Sequence, residues 1–228
     1  MKNLVILSGS GVSAESGIPT FRGMGGIWEK YDVTQLASPD GWMKDQELVL
    51  KFYNERRKKL LECHPNGAHK IFADLERDFD VQIITQNVDD LHERAGSTQI
   101  LHLHGELRKS RSTGPGEEVY DIVGWELKKG DFCPKGYLLR PHIVWFGESV
   151  DEMPKAAKIV KSADIFVIVG TSMQVHPAAG LVNYLRGGIP VYVIDPEAVY
   201  RKSGVTHIAK GAVEGTIELQ NILLNRGS

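Results

Sequence analysis

Short runs of apolar, often β-branched residues recur along the chain, and amphipathic stretches lie between them. The runs are Leu4 to Leu7, VQIIT at 81–85, DIFVIVG at 164–170 and IPVYVID at 189–195. Their almost unbroken apolar character is typical of strands that are covered on both faces. The pattern therefore predicts four buried strands of a parallel sheet.

Helical patterns separate these runs. They are HPNGAHKIFADLER at 64–77, VDEMPKAAKIVKSA at 150–163 and PAAGLVNYLRGG at 177–188. Strands that alternate with helices indicate βαβ units with right-handed crossovers. We therefore expect an α/β fold, a Rossmann-like parallel sheet with helices on both faces.

Two segments do not follow this alternation. Residues 23–62 are a polar loop followed by the charged helical stretch DQELVLKFYNERRKKLLE, and residues 108–140 are rich in Gly, Ser, Pro and charge. Both are interpreted as insertions that together form a second, smaller module. The predicted Rossmann domain comprises 1–24, 63–107 and 142–228, and the predicted module comprises 25–62 and 108–141.

Composition narrows the class of protein. With 228 residues, 42% of them hydrophobic and 25% charged, the chain is long enough for one globular domain with an insertion. The net charge is −2 and acids and bases are interspersed, so neither a nucleic acid nor a membrane surface is an expected partner. No apolar stretch reaches the roughly 18 residues of a membrane span, and no signal-sequence pattern is present. We therefore expect a cytoplasmic protein.

The cysteine count limits redox and metal chemistry. Cys63 and Cys133 form no CxxC pair. Two cysteines exclude both a disulfide framework and a four-cysteine zinc site. Both are expected to be free thiols.

The stretch GSGVSAESG directly follows the first predicted strand. Gly9, Gly11 and Ala14 form the pattern G-x-G-x-x-A, in which small residues permit a tight turn and close approach to a pyrophosphate. The alternative is a plain glycine-rich turn. The acid that dehydrogenases carry about 20 residues later is missing, which disfavours simple hydride transfer. Asp195, at the end of the last run, could bind a ribose hydroxyl instead.

Two further stretches carry polar side chains near predicted strand ends. TQNVDDLHERAG at 85–96 offers Gln86, Asn87 and Asp89, and LHLHGEL at 101–107 offers His102 and His104. A histidine there is a plausible general base because its pKa lies near neutrality. Taken singly, either histidine could be structural, and Asn87 or Asp89 could simply cap a helix that begins at Asp90.

Together the motifs resemble one family. GSGVSAESGIPTFRG, QNVDDLH, LHLHGEL, VWFGE and GTS, in this order, resemble the sirtuins, the NAD-dependent protein-lysine deacylases, over nearly the whole chain. The resemblance implies that His104 is the general base, that Asn87 is also catalytic, and that VWFGE pairs with the substrate backbone through Val144, Trp145, Phe146 and Gly147. The implied NAD-binding residues are Gly9, Ser10, Gly11, Ser13, Ala14, Glu15, Thr20, Phe21, Arg22, Gln86, Asn87, Asp89, Gly170, Thr171, Ser172, Asp195, Glu197 and Ala212.

The resemblance also implies a mechanism. The carbonyl oxygen of an acyl-lysine attacks the anomeric carbon of the nicotinamide ribose as nicotinamide leaves. His104 then takes a proton from a ribose hydroxyl, and that oxygen attacks the resulting imidate. The products are lysine, nicotinamide and O-acyl-ADP-ribose, and the substrates are acylated lysine side chains of proteins. Asn87 and Asp89 would serve as polar partners of the nicotinamide carboxamide.

The chain departs from the family where most sirtuins place two cysteine pairs, since only Cys133 remains in the second insertion. We therefore expect no zinc and no metal ligands. Asp195 stands where the family has asparagine, and Ser10 where it usually has alanine. In place of metal, apolar packing is expected to hold the module, through Val119, Tyr120, Ile122, Trp125, Phe132 and Tyr137.

Tyr53 and Arg56 bear on the acyl group that is removed. At spacing i and i+3 on one helix, a phenol and a guanidinium can converge on one anion. The alternative is a solvated basic face, which is the expectation for Arg57, Lys58 and Lys59. The pair resembles the Y-x-x-R signature of class III sirtuins, which remove succinyl and malonyl groups.

The predicted function is therefore a desuccinylase and demalonylase that also deacetylates. Two alternatives stay open, a mono-ADP-ribosyltransferase and a non-catalytic sensor of NAD or ADP-ribose. Only a deacylase would form O-acyl-ADP-ribose.

Overall fold

A computed structural model describes residues 1–20, 32–197 and 203–225. Within these ranges the strands and α-helices follow one another as β1 (Asn3–Ser8), α1 (Gly11–Ala14), α2 (Val33–Leu36), α3 (Pro39–Lys44), α4 (Gln46–Glu62), α5 (Gly67–Asp74), β2 (Asp80–Thr85), α6 (Leu91–Ala95), β3 (Ile100–His102), β4 (Gly105–Ser112), β5 (Val119–Asp121), β6 (Leu139–Ile143), α7 (Met153–Ser162), β7 (Ile165–Val169), β8 (Val191–Ile194), β9 (Val205–Ile208) and α8 (Ala212–Leu223). Short 3-10 helices lie at Leu75–Arg77 and Ala178–Tyr184. None of the helices in the described ranges is long and apolar enough to cross a membrane.

The larger sheet of the described chain has six parallel strands in the order β3-β2-β1-β7-β8-β9. The four apolar runs form β1, β2, β7 and β8, which confirms the predicted parallel sheet. β3 and β9 complete it at the two edges. The predicted helix at 177–188 is shorter and of 3-10 type, because Gly180 weakens its middle and Gly187 follows soon after its end.

Both faces of this sheet are covered, as the apolar runs predicted. Leu4 and Ile6 of β1 belong to a core that includes Phe72 of α5. The alternate residues Val5 and Leu7 belong to a second core on the other face, which includes Val160 of α7. The α/β, Rossmann-like class is therefore confirmed.

A smaller antiparallel sheet, in the order β5-β4-β6, accompanies the helix α4. The core between them includes Val49, Leu50, Leu107, Ile122 and Leu127. Of the predicted boundaries between domain and module, two fall inside β4 and β6 and one coincides with the end of α4 at Glu62. The boundary at 24–25 lies outside the described residues, and the division itself stays a prediction.

The predicted apolar packing of the module is mostly wrong. Ile122 is buried, but Val119, Trp125, Phe132 and Tyr137 are exposed, and Tyr120 is half-buried. The reason is that α4 is the element that packs on this small sheet, so the exposed aromatic residues in its loops meet no apolar partner layer. The module is held by the core on α4 instead.

Arg57 was expected on a solvated face, and this expectation is wrong. Its side chain is fully buried. Nε donates to the carbonyl oxygen of Leu107 at 2.6 Å, and Nη1 donates to the Trp125 carbonyl oxygen and to Asn54 Oδ1, both at 2.7 Å. Burial lowers the pKa of Arg57 to about 10, so it remains charged at neutral pH. Three oxygen acceptors compensate part of the cost of this buried charge, while Nη2 has no hydrogen-bond partner among the described residues.

Candidate active site

The candidate site lies at the carboxyl ends of the central strands. β1 has β2 on one side and β7 on the other, so the direction of strand progression reverses at β1. In open parallel sheets this switch point is where ligands bind. The predicted cofactor residues after β1, β2 and β7 therefore meet at one edge of the sheet.

The glycines after β1 are required by contact between two loops. Gly9 N donates to Val169 O at 3.0 Å and Gly11 N donates to Gly170 O at 2.8 Å. A Cβ at Gly9 would lie 2.6 Å from Gly170 O, and one at Gly11 would lie 2.6 Å from Gly170 Cα. The bare backbone thus serves to join the loops after β1 and β7, in addition to its predicted role toward a pyrophosphate.

A cavity of about 210 Å³ opens beside these loops. Ser10 and Ser13 line it from the loop after β1, and Asn87 and Asp89 line it from the loop after β2. Arg56 lines it from α4. The helix α4 therefore forms a wall of the same cavity as the predicted nicotinamide-binding residues. Its remaining lining residues are Ile18, Pro19, Phe52, Glu55, Lys59, Leu60, Val88 and Leu107.

Ser13 joins the two loops through a buried network. Asn87 Nδ2 donates to Ser13 Oγ at 3.1 Å, and Ser13 Oγ donates to Asp89 Oδ2 at 3.0 Å. His69 Nε2 lies 3.4 Å from the same Ser13 oxygen. Because Asn66 N donates to His69 Nδ1 at 3.3 Å, Nε2 carries the proton and donates to Ser13. Sequence reasoning missed His69, whose only signal was a polar residue within an amphipathic helix.

Asp89 accepts a hydrogen bond at the start of α6, and its cofactor role stays a prediction. Its Oδ1 accepts from N of Leu91, the first residue of α6, at 3.2 Å, while Oδ2 accepts from Ser13 at 3.0 Å. Burial raises the pKa of Asp89, and its hydrogen bonds to Ser13 and Leu91 oppose that rise. The hydrogen bond from Leu91 N fixes this carboxyl group at the wall of the cavity.

The two histidines of LHLHGEL differ in the protons that they hold. His104 Nδ1 lies 3.1 Å from the carbonyl oxygen of Gln86, which can only accept, so Nε2 is left with its lone pair. Burial lowers the pKa of His104, which keeps it neutral at neutral pH. His104 therefore has the protonation state of a base.

His102 is fixed differently. Its Nδ1 lies 3.0 Å from Asn87 O, and its Nε2 lies 2.7 Å from Glu93 Oε1. Burial lowers the pKa of His102, but the hydrogen bond and charge of Glu93 raise it by more, so the net shift is upward. With both nitrogens donating, His102 clamps the Asn87 peptide and has no lone pair with which to accept a proton.

The other predicted cofactor residues lie around the same edge. Gln86 Nε2 donates to Thr171 Oγ1 at 3.0 Å, which links the loops after β2 and β7. Glu15 Oε1 accepts from Val213 N at 2.9 Å, beside Ala212 at the start of α8. Asp195 Oδ1 accepts from Glu197 N at 2.9 Å, and burial raises the pKa of Asp195.

Ala14 and Ser172 are exposed near these loops, and Thr20 is partly exposed. Phe21 and Arg22 lie outside the described residues. The cofactor-binding roles of all these residues stay predictions.

The backbone N–H groups of the predicted substrate segment donate hydrogen bonds to other residues of the protein. Val144 N donates to His104 O at 3.0 Å, Trp145 N to Glu148 Oε2 at 2.8 Å, and Phe146 N to Ala37 O at 2.9 Å. The segment follows β6 and is not itself a strand. Since these three N–H groups already have acceptors, pairing with a substrate backbone would have to use other groups, such as those of Gly147.

Metal-binding residues are not clustered in the described parts of the chain. No three His, Cys, Asp or Glu side chains there are close enough to hold an ion. Cys63 and Cys133 are separate buried thiols, and Cys133 Sγ lies 3.6 Å from Ser112 Oγ. The expected absence of zinc stays a prediction.

Known proteins match both the sequence and the fold. The sequence model of the Sir2 family matches residues 9–177. This chain belongs to the Sir2 family. A relative from Bacteroides thetaiotaomicron, described as an NAD-dependent protein deacylase, is 52% identical over 98% of this chain and 99% of its own. One of the same description from Helicobacter pylori strain J99 is 50% identical over 100% of this chain and 98% of its own.

Among solved structures, a Sir2 homologue in complex with NAD is 41% identical, with a TM-score of 0.88. It covers 99% of this chain and 90% of its own. The similarity therefore extends over both the six-stranded and the three-stranded sheet.

Proposed function

We propose that this Sir2 protein is an NAD-dependent protein-lysine deacylase that removes succinyl and malonyl groups in addition to acetyl groups. The NAD-dependent deacylase part is supported by the relatives that bear this description at about 50% identity over nearly the whole chain. The preference for acidic acyl groups is carried by one observation. Arg56 lines the same cavity as Asn87 and Asp89.

The residues at the sheet edge fit NAD. Asn87 and Asp89 are buried polar groups at the cavity, and an amide and a carboxyl group complement a carboxamide. When bound, NAD supplies a ribose carbon that becomes electrophilic as nicotinamide departs. Ser13 holds Asn87 and Asp89 in place, and His104 Nε2 is the atom that accepts the ribose hydroxyl proton.

Arg56 supplies the positive charge that an acidic acyl chain requires. Burial lowers the pKa of Arg56, while Tyr53 and Asp89 act in the opposite direction. A succinyl carboxylate that entered this cavity without a cationic partner would lose hydration and gain nothing in return, at a cost of several kcal/mol. An acetyl group carries no charge and is too short to need the guanidinium.

The test is the substitution Arg56→Met, assayed on peptides that carry succinyl-, malonyl- or acetyl-lysine. We expect kcat/KM for succinyl-lysine to fall by an amount equivalent to about 2 to 4 kcal/mol, because a charge-assisted pair is lost. Acetyl-lysine turnover should change little, which would invert the preference. Tyr53→Phe should shift the preference in the same direction by less.

The control is Lys51→Met, which removes a positive charge from an exposed position of the same helix. It should leave both activities unchanged. If Arg56→Met lowers both activities in equal proportion, the arginine is structural and the preference for acidic acyl groups is wrong. Mass spectrometry of the products tests the reaction itself, since release of nicotinamide without O-acyl-ADP-ribose would indicate an ADP-ribosyltransferase.

A further inference from the structure

Tyr53 accepts a hydrogen bond that determines where its own proton can go. Trp145 Nε1 lies 3.1 Å from the hydroxyl oxygen of Tyr53, and both side chains are buried. An indole nitrogen can only donate, so in this contact the phenol oxygen is the acceptor. The phenol proton must therefore be directed away from Trp145.

Trp145 is itself held in a fixed position. The guanidinium of Arg140 lies 3.5 Å from the centroid of the indole ring, and the ring of Trp42 is 5.8 Å away. Glu148 accepts from Trp145 N at 2.8 Å and pairs with Arg140 at 2.6 Å and with Arg111 at 2.9 Å. Side chain and backbone are thus anchored by the same ionic cluster, which leaves the indole little freedom to turn.

Tyr53 is a buried neutral donor next to the cavity wall: it is not itself a lining residue, but Phe52 and Arg56 on the same helix are. Burial raises the pKa of Tyr53 to about 12, and the charge of Arg56 acts against that rise. The phenol therefore keeps its proton at neutral pH, and the guanidinium lies close enough to act on it. Arg56 follows one helical turn later on α4 and lines the cavity.

We propose that Trp145 is a positioning residue for acyl selectivity: by occupying the Tyr53 oxygen, it directs the phenol proton toward the carboxylate that Arg56 binds. This inference rests on the proposed function. It adds a tryptophan from the segment after β6 to a recognition pair that lies on α4. The carboxylate would then meet a charge from Arg56 and an oriented neutral donor from Tyr53.

The test is a double-mutant cycle with Trp145→Phe and Tyr53→Phe. Trp145→Phe keeps an aromatic ring beside Arg140 and removes the donor, but it also leaves a smaller side chain at a buried position. We expect kcat/KM for succinyl-lysine to fall about 3- to 10-fold, mainly through KM, which is the size of one neutral hydrogen bond. The ratio of kcat/KM for succinyl-lysine to that for acetyl-lysine should fall about 3-fold or more, because acetyl-lysine has no carboxylate to orient and shares only the losses common to both substrates.

In the Tyr53→Phe background, Trp145→Phe should have no further effect on the succinyl-to-acetyl ratio, because the group that it orients is gone. Thermal unfolding checks that each variant folds. If Trp145→Phe does not fold, Trp145→benzothienylalanine tests the same point, since sulfur replaces the N–H in a ring of almost the same shape.

The assays distinguish failure of the proposed function from failure of the proposed role of Trp145. A wild-type enzyme that does not act on succinyl-lysine would refute the proposed function, and the role of Trp145 with it. A wild-type desuccinylase whose selectivity is unchanged by Trp145→Phe would overturn the role of Trp145 alone. Equal losses on succinyl- and acetyl-lysine, or additive losses in the double mutant, would show that the tryptophan is merely structural.

Discussion

His69 should make the stability of the fold depend on pH. It is fully buried beside Ser13, and burial lowers its pKa to about 4 from an ordinary value of 6.5. The unfolded chain therefore binds a proton at this residue at a pH where the folded protein does not. The contribution of His69 to the free energy of unfolding is fully present above about pH 6.5 and is lost as the pH falls toward 4.

The size of this contribution to the free energy of unfolding follows from the lowered pKa of His69. Each pKa unit corresponds to about 1.36 kcal/mol, so a shift of roughly 2.5 units contributes about 3 kcal/mol over the whole window and about 2 kcal/mol by pH 5. The ring of His92 lies 4.8 Å from that of His69, and burial lowers the pKa of His92 well below its usual range. Its contribution has the same sign, whereas the raised pKa of His102 gives a contribution of the opposite sign, so the effect of His69 is isolated only by comparing variants.

The assay is urea unfolding of the wild type and of His69→Gln at pH 7.5 and pH 5, extrapolated to water. The variant removes the titrating group, so its loss of stability between the two pH values should be smaller by about 2 kcal/mol, whatever its stability at pH 7.5. His207→Gln, at an exposed position of β9, controls for the removal of a histidine as such. Parallel pH curves for wild type and His69→Gln would refute the reasoning, because they would mean that the folded protein does not exclude the proton.

Two further predictions concern the base and the metal. His104→Ala should reduce deacylation at least 100-fold while NAD binding, measured by calorimetry, persists, because the base acts only after the cofactor is bound; His207→Ala is its control, and near wild-type turnover in His104→Ala would remove the residue from the mechanism. Purified protein should contain no stoichiometric zinc by elemental analysis and should keep its melting temperature in EDTA, because Cys133 has no cysteine partners in its insertion; one zinc per chain would show that the insertion was misread.

The apolar runs predicted the sheet well because a buried parallel strand has no polar face. The sequence pattern did not predict β3 and β9, and the cause is physical. β3 has only three residues, and β9 lies at the sheet edge with Thr206 and His207 exposed, so neither forms a continuous apolar run. Short edge strands are specified by their neighbours more than by their own composition.

The site could be predicted where a side chain alone signals its chemistry, and not where backbone groups decide it. The partners of Arg57 are mostly peptide carbonyl oxygens, and no sequence pattern shows where those will lie. The choice between His102 and His104 came only from resemblance. The structure supplies the cause, since Glu93 takes the second nitrogen of His102 whereas His104 keeps a lone pair.

The residue proposed to recognise the acyl group and the residues predicted to bind NAD lie on different elements. Arg57 fixes α4 to the small sheet through the Leu107 carbonyl oxygen, and the adjacent Arg56, turned by about 100° around the helix axis, lines the cavity. The predicted cofactor residues, by contrast, follow β1, β2 and β7 of the large sheet. Because the proposed acyl-binding charge lies on α4 and the predicted NAD-binding loops follow strands of the large sheet, we expect substitutions at Arg56 to change which acyl group is accepted while those loops keep their fold. The charge of Asp89, which lines the same cavity and acts on Arg56, is the predicted cofactor group that such substitutions would affect most.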